Sequence, residues 1–193
     1  FGHLMLSRQS LREGDPLLEH LEQIDRSAQR ARNLVQQILT FSRQEQQQPR
    51  PLHLGTIIKE VLKLLRATLP STIEIRSNLL SPAGVVLADP IQIHQLVMNL
   101  CTNAAHAMQQ GGGTMEVSLS QVTVEDGRGF PELTLKPGAY VELSVSDTGA
   151  GIDPAIMARI FDPFFTTKPI GEGSGMGLAV VHGIVQSLKG GLR

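Results

Sequence analysis

The sequence predicts an α+β fold: a two-layer α/β sandwich preceded by a partial helical hairpin. Three observations lead there. Apolar residues at alternating spacings of three and four mark one long helix near the N-terminus. A polar stretch with two prolines, residues 44–51, separates that helix from the rest of the chain. Beyond it, short alternating strands and amphipathic helices come in mixed order with hairpin-like turns. That order suits a sandwich better than a doubly wound parallel sheet.

The first element is a helix over 16–43. Asp15 is a good N-cap and Pro16 suits the first helical position. Leu21, Ile24, Ala28, Ala31, Val35 and Ile38 form its apolar seam, as in a helical bundle or dimer. Leu4, Met5, Leu6 and Leu11 read as the end of an earlier helix, and the run from Arg12 to Pro16 as the turn between the two. Residues 1–43 are thus the hairpin segment, 44–51 the linker and 52–193 a second domain. In that domain 52–54 is a short strand, and Ile57, Val61, Leu64 and Leu65 give a helical face ending before Pro70. Ile73 and Ile75 alternate with polar neighbours over 72–79, as in a half-buried strand. Strands are also expected at 85–87, at 114–124 and from Tyr140 to Val145, with Gly127, Gly129 and Pro131 as a turn.

Asp89 and Pro90 open a helix that runs to about Met108 and stops at three glycines, 111–113. At roughly 100° per residue, Gln92, Gln95, Asn99, Asn103 and His106 share one face, within about 80°. Ile93, Leu96, Val97, Leu100, Cys101, Ala104 and Met108 cover the other. Amides are unusual for a merely solvated face, where Glu and Lys form helix better. Asp147 then closes a strand and enters Gly149, Ala150 and Gly151, where a buried carboxylate at the base of a pocket could accept a hydrogen bond. Phe161, Phe164 and Phe165 come next. The glycines of 171–177 lead straight into an apolar helical run, Leu178, Val181, Ile184, Val185 and Leu188. Glycines entering a helix N-terminus offer free N–H groups and a favourable dipole to an anion.

Together these stretches resemble, in order, the N, G1, F and G2 boxes of the histidine-kinase catalytic domain, an ATP-binding module of the Bergerat fold. The resemblance covers roughly residues 15–193. It implies transfer of the γ-phosphate of ATP to a histidine side chain in a two-component phosphorelay. It implies Mg²⁺ as cofactor with Asn103 as its ligand, and catalytic, phosphate-facing positions for Asn99 and His106. A His there is only partly charged near pH 7, and a plain surface His is the alternative. In the second box the implied contacts are Asp147 with the adenine amino group, and Gly149, Gly151 and Ile152 around the base. Phe161, Phe164 and Phe165 would anchor a lid over about 153–176, in which Lys168 either reaches a phosphate or stays solvated. Gly173, Ser174, Gly175, Met176, Gly177 and Leu178 would line the phosphates. The implied partners are a response-regulator receiver domain and a second copy of the chain, joined through the hairpin.

The family's acceptor histidine is expected before Phe1; neither His3 nor His20 is followed by the acidic residue of that motif. The family's final β-hairpin would come after Gly190 and Gly191. The superfamily also holds gyrases, Hsp90 chaperones and MutL-type ATPases, which carry a water-polarising Glu four residues before the metal-ligating Asn. Here that position is Asn99. An amide cannot accept a proton at useful pH, which favours phosphotransfer over hydrolysis. A protein serine kinase of the same fold and a nucleotide-binding module without kinase activity stay as rivals. A net charge of −1 gives no reason to expect nucleic acid or an anionic membrane as partner. The single Cys101 excludes an internal disulfide and fits a reducing, cytoplasmic compartment. No apolar run approaches 18 residues, so no membrane insertion by this segment is expected; an anchor elsewhere in a longer parent protein stays open.

Overall fold

The structure, a computed structural model, describes residues 17, 18, 21, 24, 48–79, 84–125, 135–168 and 173–193. The chain divides into two compact units: residues 1–46 with 166–174, and residues 47–165 with 175–193. In the first unit Leu17, Leu18, Leu21 and Ile24 are helical, as the seam predicts. The rest of the expected hairpin, with His3 and His20, lies outside the described residues, as does the turn around Gly127, Gly129 and Pro131.

The larger unit is the expected sandwich. In order it comprises β1 (Arg50–His53), α1 (Leu54–Thr68), β2 (Ile73–Leu79), β3 (Val85–Ala88), α2 (Pro90–Ala107), β4 (Gly113–Val124), β5 (Gly138–Asp147), a 3-10 helix (Pro154–Arg159) and α3 (Gly177–Ser187). β1 and β3 form an antiparallel pair, while β2, β4 and β5 form a mixed sheet with β4 central. β2 runs parallel to β4, with Ile75 opposite Met115; β5 runs antiparallel to it, with Val145 opposite Val117.

Period-two alternation gives β4 one apolar face. Met115, Val117 and Leu119 are buried, whereas Glu116, Ser118 and Ser120 stand on the other side. The three helices contribute to the same core: Ile58, Val61 and Leu65 from α1, Val97, Cys101 and Ala104 from α2, Val181 and Ile184 from α3. Cys101 is fully buried, and burial pushes its thiol up to about 11, so it is a packing residue.

Two sequence expectations need correction. The strand before α1 is Arg50–His53 rather than 52–54, so Arg50 and Pro51 leave the linker and pair with Ala88 and Leu87. Proline is tolerated because β1 is an edge strand, where a missing donor faces no neighbour. The buried face of α1 is Leu54, Ile58, Val61, Leu62 and Leu65, while Leu64 is 52% exposed. Adjacent apolar residues at 57–58 and 64–65 allow two helical phases, and packing selects the second.

Candidate functional site

The site is built around α2. Asp89 caps its start, its Oδ1 accepting from Ile91 N at 2.8 Å, with Pro90 in the first turn. Such a cap contributes about 1 kcal/mol. Capping and the buried apolar face fix the helix rotation, so the stripe from Gln92 through Asn99 and Asn103 to His106 must face away from the core. Each of these side chains is half-buried.

What half-buries the middle of the stripe is the N-terminus of α3. Asn99 Nδ2 donates to the carbonyl of Gly177 at 3.2 Å, joining residues 78 apart in sequence. A Cβ on Gly177 would stand 3.6 Å from Asn103 Nδ2, 4.0 Å from Asn103 Oδ1 and 4.0 Å from Asn99 Cγ. The missing side chain thus leaves a small space flanked by two amides at the start of a helix. Free N–H groups at that helix end, together with amide oxygens, suit an anion carried with a hard cation. No cluster of three His, Cys, Asp or Glu among the described residues could hold a metal alone. The Asn103 side-chain oxygen is the kind of group that could ligate a hard cation whose other ligands come with a bound anion.

The other end of α2 holds the loop after β5. Ala150 N donates to Ala107 O at 3.2 Å, and Thr148 N to Thr114 O at 3.2 Å. Thr148 Oγ1 accepts from Thr114 N at 3.0 Å. A Cβ on Gly149 would lie 2.6 Å from the Ala107 carbonyl carbon, so only glycine lets the loop approach this closely. Gly151 has φ of 71° and open space around it.

Asp147 closes β5 directly opposite Met115, on the helix-bearing face of the sheet. Its Oδ1 accepts from Gly149 N at 2.9 Å, shaping the turn. The carboxylate is exposed, not buried as the sequence predicts. Asp147 is the last residue of β5, the outer strand of the β2–β4–β5 sheet.

The phenylalanine segment comes after the 3-10 helix, which Asp153 caps by accepting from Ala155 N at 2.9 Å. Phe165 N donates to Asp162 O at 3.2 Å across a turn with Pro163 and Phe164 in the centre. Phe164 takes φ of 67° there, a strained value for a bulky residue, and is 69% exposed. Gly175, at φ of 66°, lies against the Phe164 backbone: a Cβ would be 2.4 Å from its carbonyl carbon. The chain on either side of 165–174 is therefore pinched together. Arg159 Cζ sits 4.4 Å from the centre of the Phe165 ring. Phe161 stacks on His182 of α3 with centroids 5.4 Å apart and planes inclined by 32°.

The structure thus brings Asn99, Asn103 and Gly177 together, and Asp147 and Gly149 beside the C-terminal end of α2. Met176 caps α3, Leu178 lies in its first turn, and Ile152 is 51% exposed. Lys168, Gly173 and Ser174 belong to the other unit. Within it Lys168 N donates to Thr166 Oγ1 at 3.1 Å, and a Cβ on Gly173 would lie 2.7 Å from that same oxygen. Sequence reasoning missed His182. A polar residue inside the apolar run 178–188 is the signal that could have found it.

An α/β sandwich with an amide-bearing helix beneath a glycine-led helix N-terminus defines the class: a nucleotide-binding phosphate-transfer or ATPase fold. Residues 88–193 match the family described as histidine kinase-, DNA gyrase B-, and HSP90-like ATPase, and the chain belongs to it. It is 34% identical over 179 residues to the sensor kinase CckA of Brucella abortus, covering 93% of this chain and 19% of that protein. The chain therefore spans about a fifth of that relative's length. The mycobacterial sensor histidine kinase MprB is 29% identical, with a TM-score of 0.59 over 76% of this chain and 84% of that one. The histidine kinase ThkA, solved in complex with the response regulator protein TrrA, shares the fold. It is 24% identical, with a TM-score of 0.66 over 98% of this chain and 50% of that one. No described helix is long and apolar enough to cross a membrane.

Proposed function

We propose that the sandwich binds Mg²⁺-ATP between α2, the β5–Gly151 loop and the start of α3, and passes the γ-phosphate to a histidine side chain. The observation that carries this reading is the Asn99–Gly177 hydrogen bond, with Asn103 beside the same glycine. It joins the expected metal-and-phosphate helix to the expected phosphate loop, although 78 residues separate them. In this assignment Asp147 accepts from the adenine amino group through the oxygen not used by Gly149. The backbone N–H groups of 175–178 take the phosphates. Asn103 Oδ1, together with the phosphates, would hold Mg²⁺, which when bound would screen the phosphate charge. His106 stands in the last turn of α2, and the resemblance assigns it a phosphate-facing role. In transfer the bond from the γ-phosphorus to the bridging oxygen breaks, leaving ADP, and a bond to an imidazole nitrogen forms. The protein's share is positioning and charge stabilisation.

The acceptor is carried on a dimerising helical hairpin, and the phosphate passes on to a receiver domain. The hairpin seam of Leu21 and Ile24 and the complex of ThkA with TrrA support that assignment. With ATP as substrate and such a partner, a cytoplasmic location is part of the same proposal. Hydrolysis is disfavoured because Asn99 is no general base and its amide is engaged with Gly177.

Calorimetry with Mg²⁺ and a non-hydrolysable ATP analogue tests the reading. A lost charged hydrogen bond is worth about 1.5–3 kcal/mol, and the exposure of Asp147 places its loss at the low end, about tenfold in affinity. Asp147→Asn keeps one oxygen for Gly149 and should weaken binding without disturbing the turn; Asp147→Ala should do both. Unchanged affinity in both folded variants would sink the adenine assignment.

A further inference from the structure

We infer that His182 is a positioning residue: its imidazole clamps Phe161, and so sets the segment 160–165 against the helix whose N-terminus meets the phosphates. The inference rests on the nucleotide reading above and deepens it.

Residues 151–165 contain no buried side chain; Ile156, Ile160, Phe161 and Phe165 are half-buried. A segment with so little burial has low local stability, so each specific contact counts. The stack of Phe161 on His182 joins it to α3, 21 positions away along the chain. The His182 ring is itself held. Its Nε2 lies 3.0 Å from the side-chain nitrogen of Gln186, one helical turn on. α3 is in turn tied to α2 through Gly177 and Asn99. A second link runs through the backbone contact of Phe164 and Gly175. The turn at 162–165 is therefore fixed from two sides, by His182 through Phe161 and by Gly175 through Phe164. Losing the first leaves, of these two links, the glycine contact to hold the approach to the phosphate loop. His182 has no place in the transfer chemistry itself; it acts through Phe161 and the pose of residues 175–177.

The test uses the full 193-residue chain. Hydrogen exchange without nucleotide should show faster exchange at 160–165 in His182→Ala, with β4 unchanged. His182→Phe, which keeps a ring at this position, should restore the slow exchange. Affinity for the Mg²⁺-bound ATP analogue should fall about two- to tenfold in His182→Ala, the range of an aromatic pair, and recover in His182→Phe. Phe161→Leu should reproduce the loss, and the double variant should add little to either single one. Where His182→Ala does not fold, His182→Gln keeps a polar reach toward Gln186 without the ring and takes its place. Unchanged exchange at 160–165 in the ring-less variants would overturn the clamp, as would a His182→Phe variant as impaired as His182→Ala. Failure of the unmodified chain to bind the analogue would overturn the nucleotide reading instead. The exchange arm, run without nucleotide, still judges the clamp.

Discussion

Three glycines of the site separate two physical costs. Gly151 sits at φ of 71° with nothing within 4 Å of an added Cβ. Gly151→Ala therefore meets only the left-handed backbone penalty, about 1–2 kcal/mol. A smaller unfolded-state entropy offsets about 0.4–1 kcal/mol of that. Gly149 has no left-handed backbone, but its Cβ would be 2.6 Å from the Ala107 carbonyl carbon and oxygen. Gly149→Ala must push the loop off the end of α2, an overpacking cost of about 1–3 kcal/mol. Gly175 carries both: φ of 66°, and a Cβ 2.4 Å from the Phe164 carbonyl carbon and 2.6 Å from its oxygen. Backbone atoms cannot rotate away as a side-chain tip can. If the terms add, Gly175→Ala loses about 2–5 kcal/mol, unless the Phe164 turn opens. Urea unfolding with a constant slope should rank the losses Gly151→Ala, then Gly149→Ala, then Gly175→Ala. Opening of the turn would show as a smaller loss at Gly175 with faster exchange confined to 160–165. A Gly175→Ala variant as stable as Gly151→Ala, with unaltered exchange there, would refute the contact with Phe164.

Two predictions concern the amides of α2. Asn103→Ala should weaken binding of the ATP analogue in Mg²⁺ by about 10-fold or more and should matter much less in excess chelator; equal losses with and without Mg²⁺ would remove Asn103 as the metal ligand. Asn99→Glu should raise the slow hydrolysis of ATP toward the roughly 10²–10⁴-fold that a positioned base supplies, while lowering stability through the lost donor to Gly177. A phosphate-release assay reporting no gain in the folded variant would show that the role of this position is tethering alone.

Much of this architecture comes from local rules, and the departures from expectation are non-local. The cap of Asp89 on Pro90–Ala107 and the amide stripe are legible because capping and the 3.6-residue period depend only on neighbours. The alternation of Met115, Val117 and Leu119 gives β4 its inner face for the same reason. Arg50 and Pro51 resemble a linker in their polar, proline-bearing sequence, and only pairing with Leu87 and Ala88 makes them a strand. The phase of α1 is undetermined between Leu64 and Leu65 until packing chooses the latter. The exposure of Asp147 depends on which strands flank β5 and how far the helices reach, neither of which is written in the motif. The pairing of Phe161 with His182 is likewise tertiary.

Asn99 shows how one position serves both structure and chemistry. Its Nδ2 donates to Gly177 O, and donation is what a carboxylate cannot do at neutral pH. A Glu here would face the Gly177 carbonyl with acceptors only, so it would either turn toward solvent or loosen the start of α3. Hydrolysis needs a base at this position, whereas transfer to a protein histidine needs the phosphate loop held and water left unactivated. The amide satisfies the second requirement on both counts: it ties α3 to α2, and it does not take a proton from water. On the proposed function, the preference for transfer would be built into the contact between Asn99 and Gly177. A change of mechanism at Asn99 would also require a new way of seating Gly177.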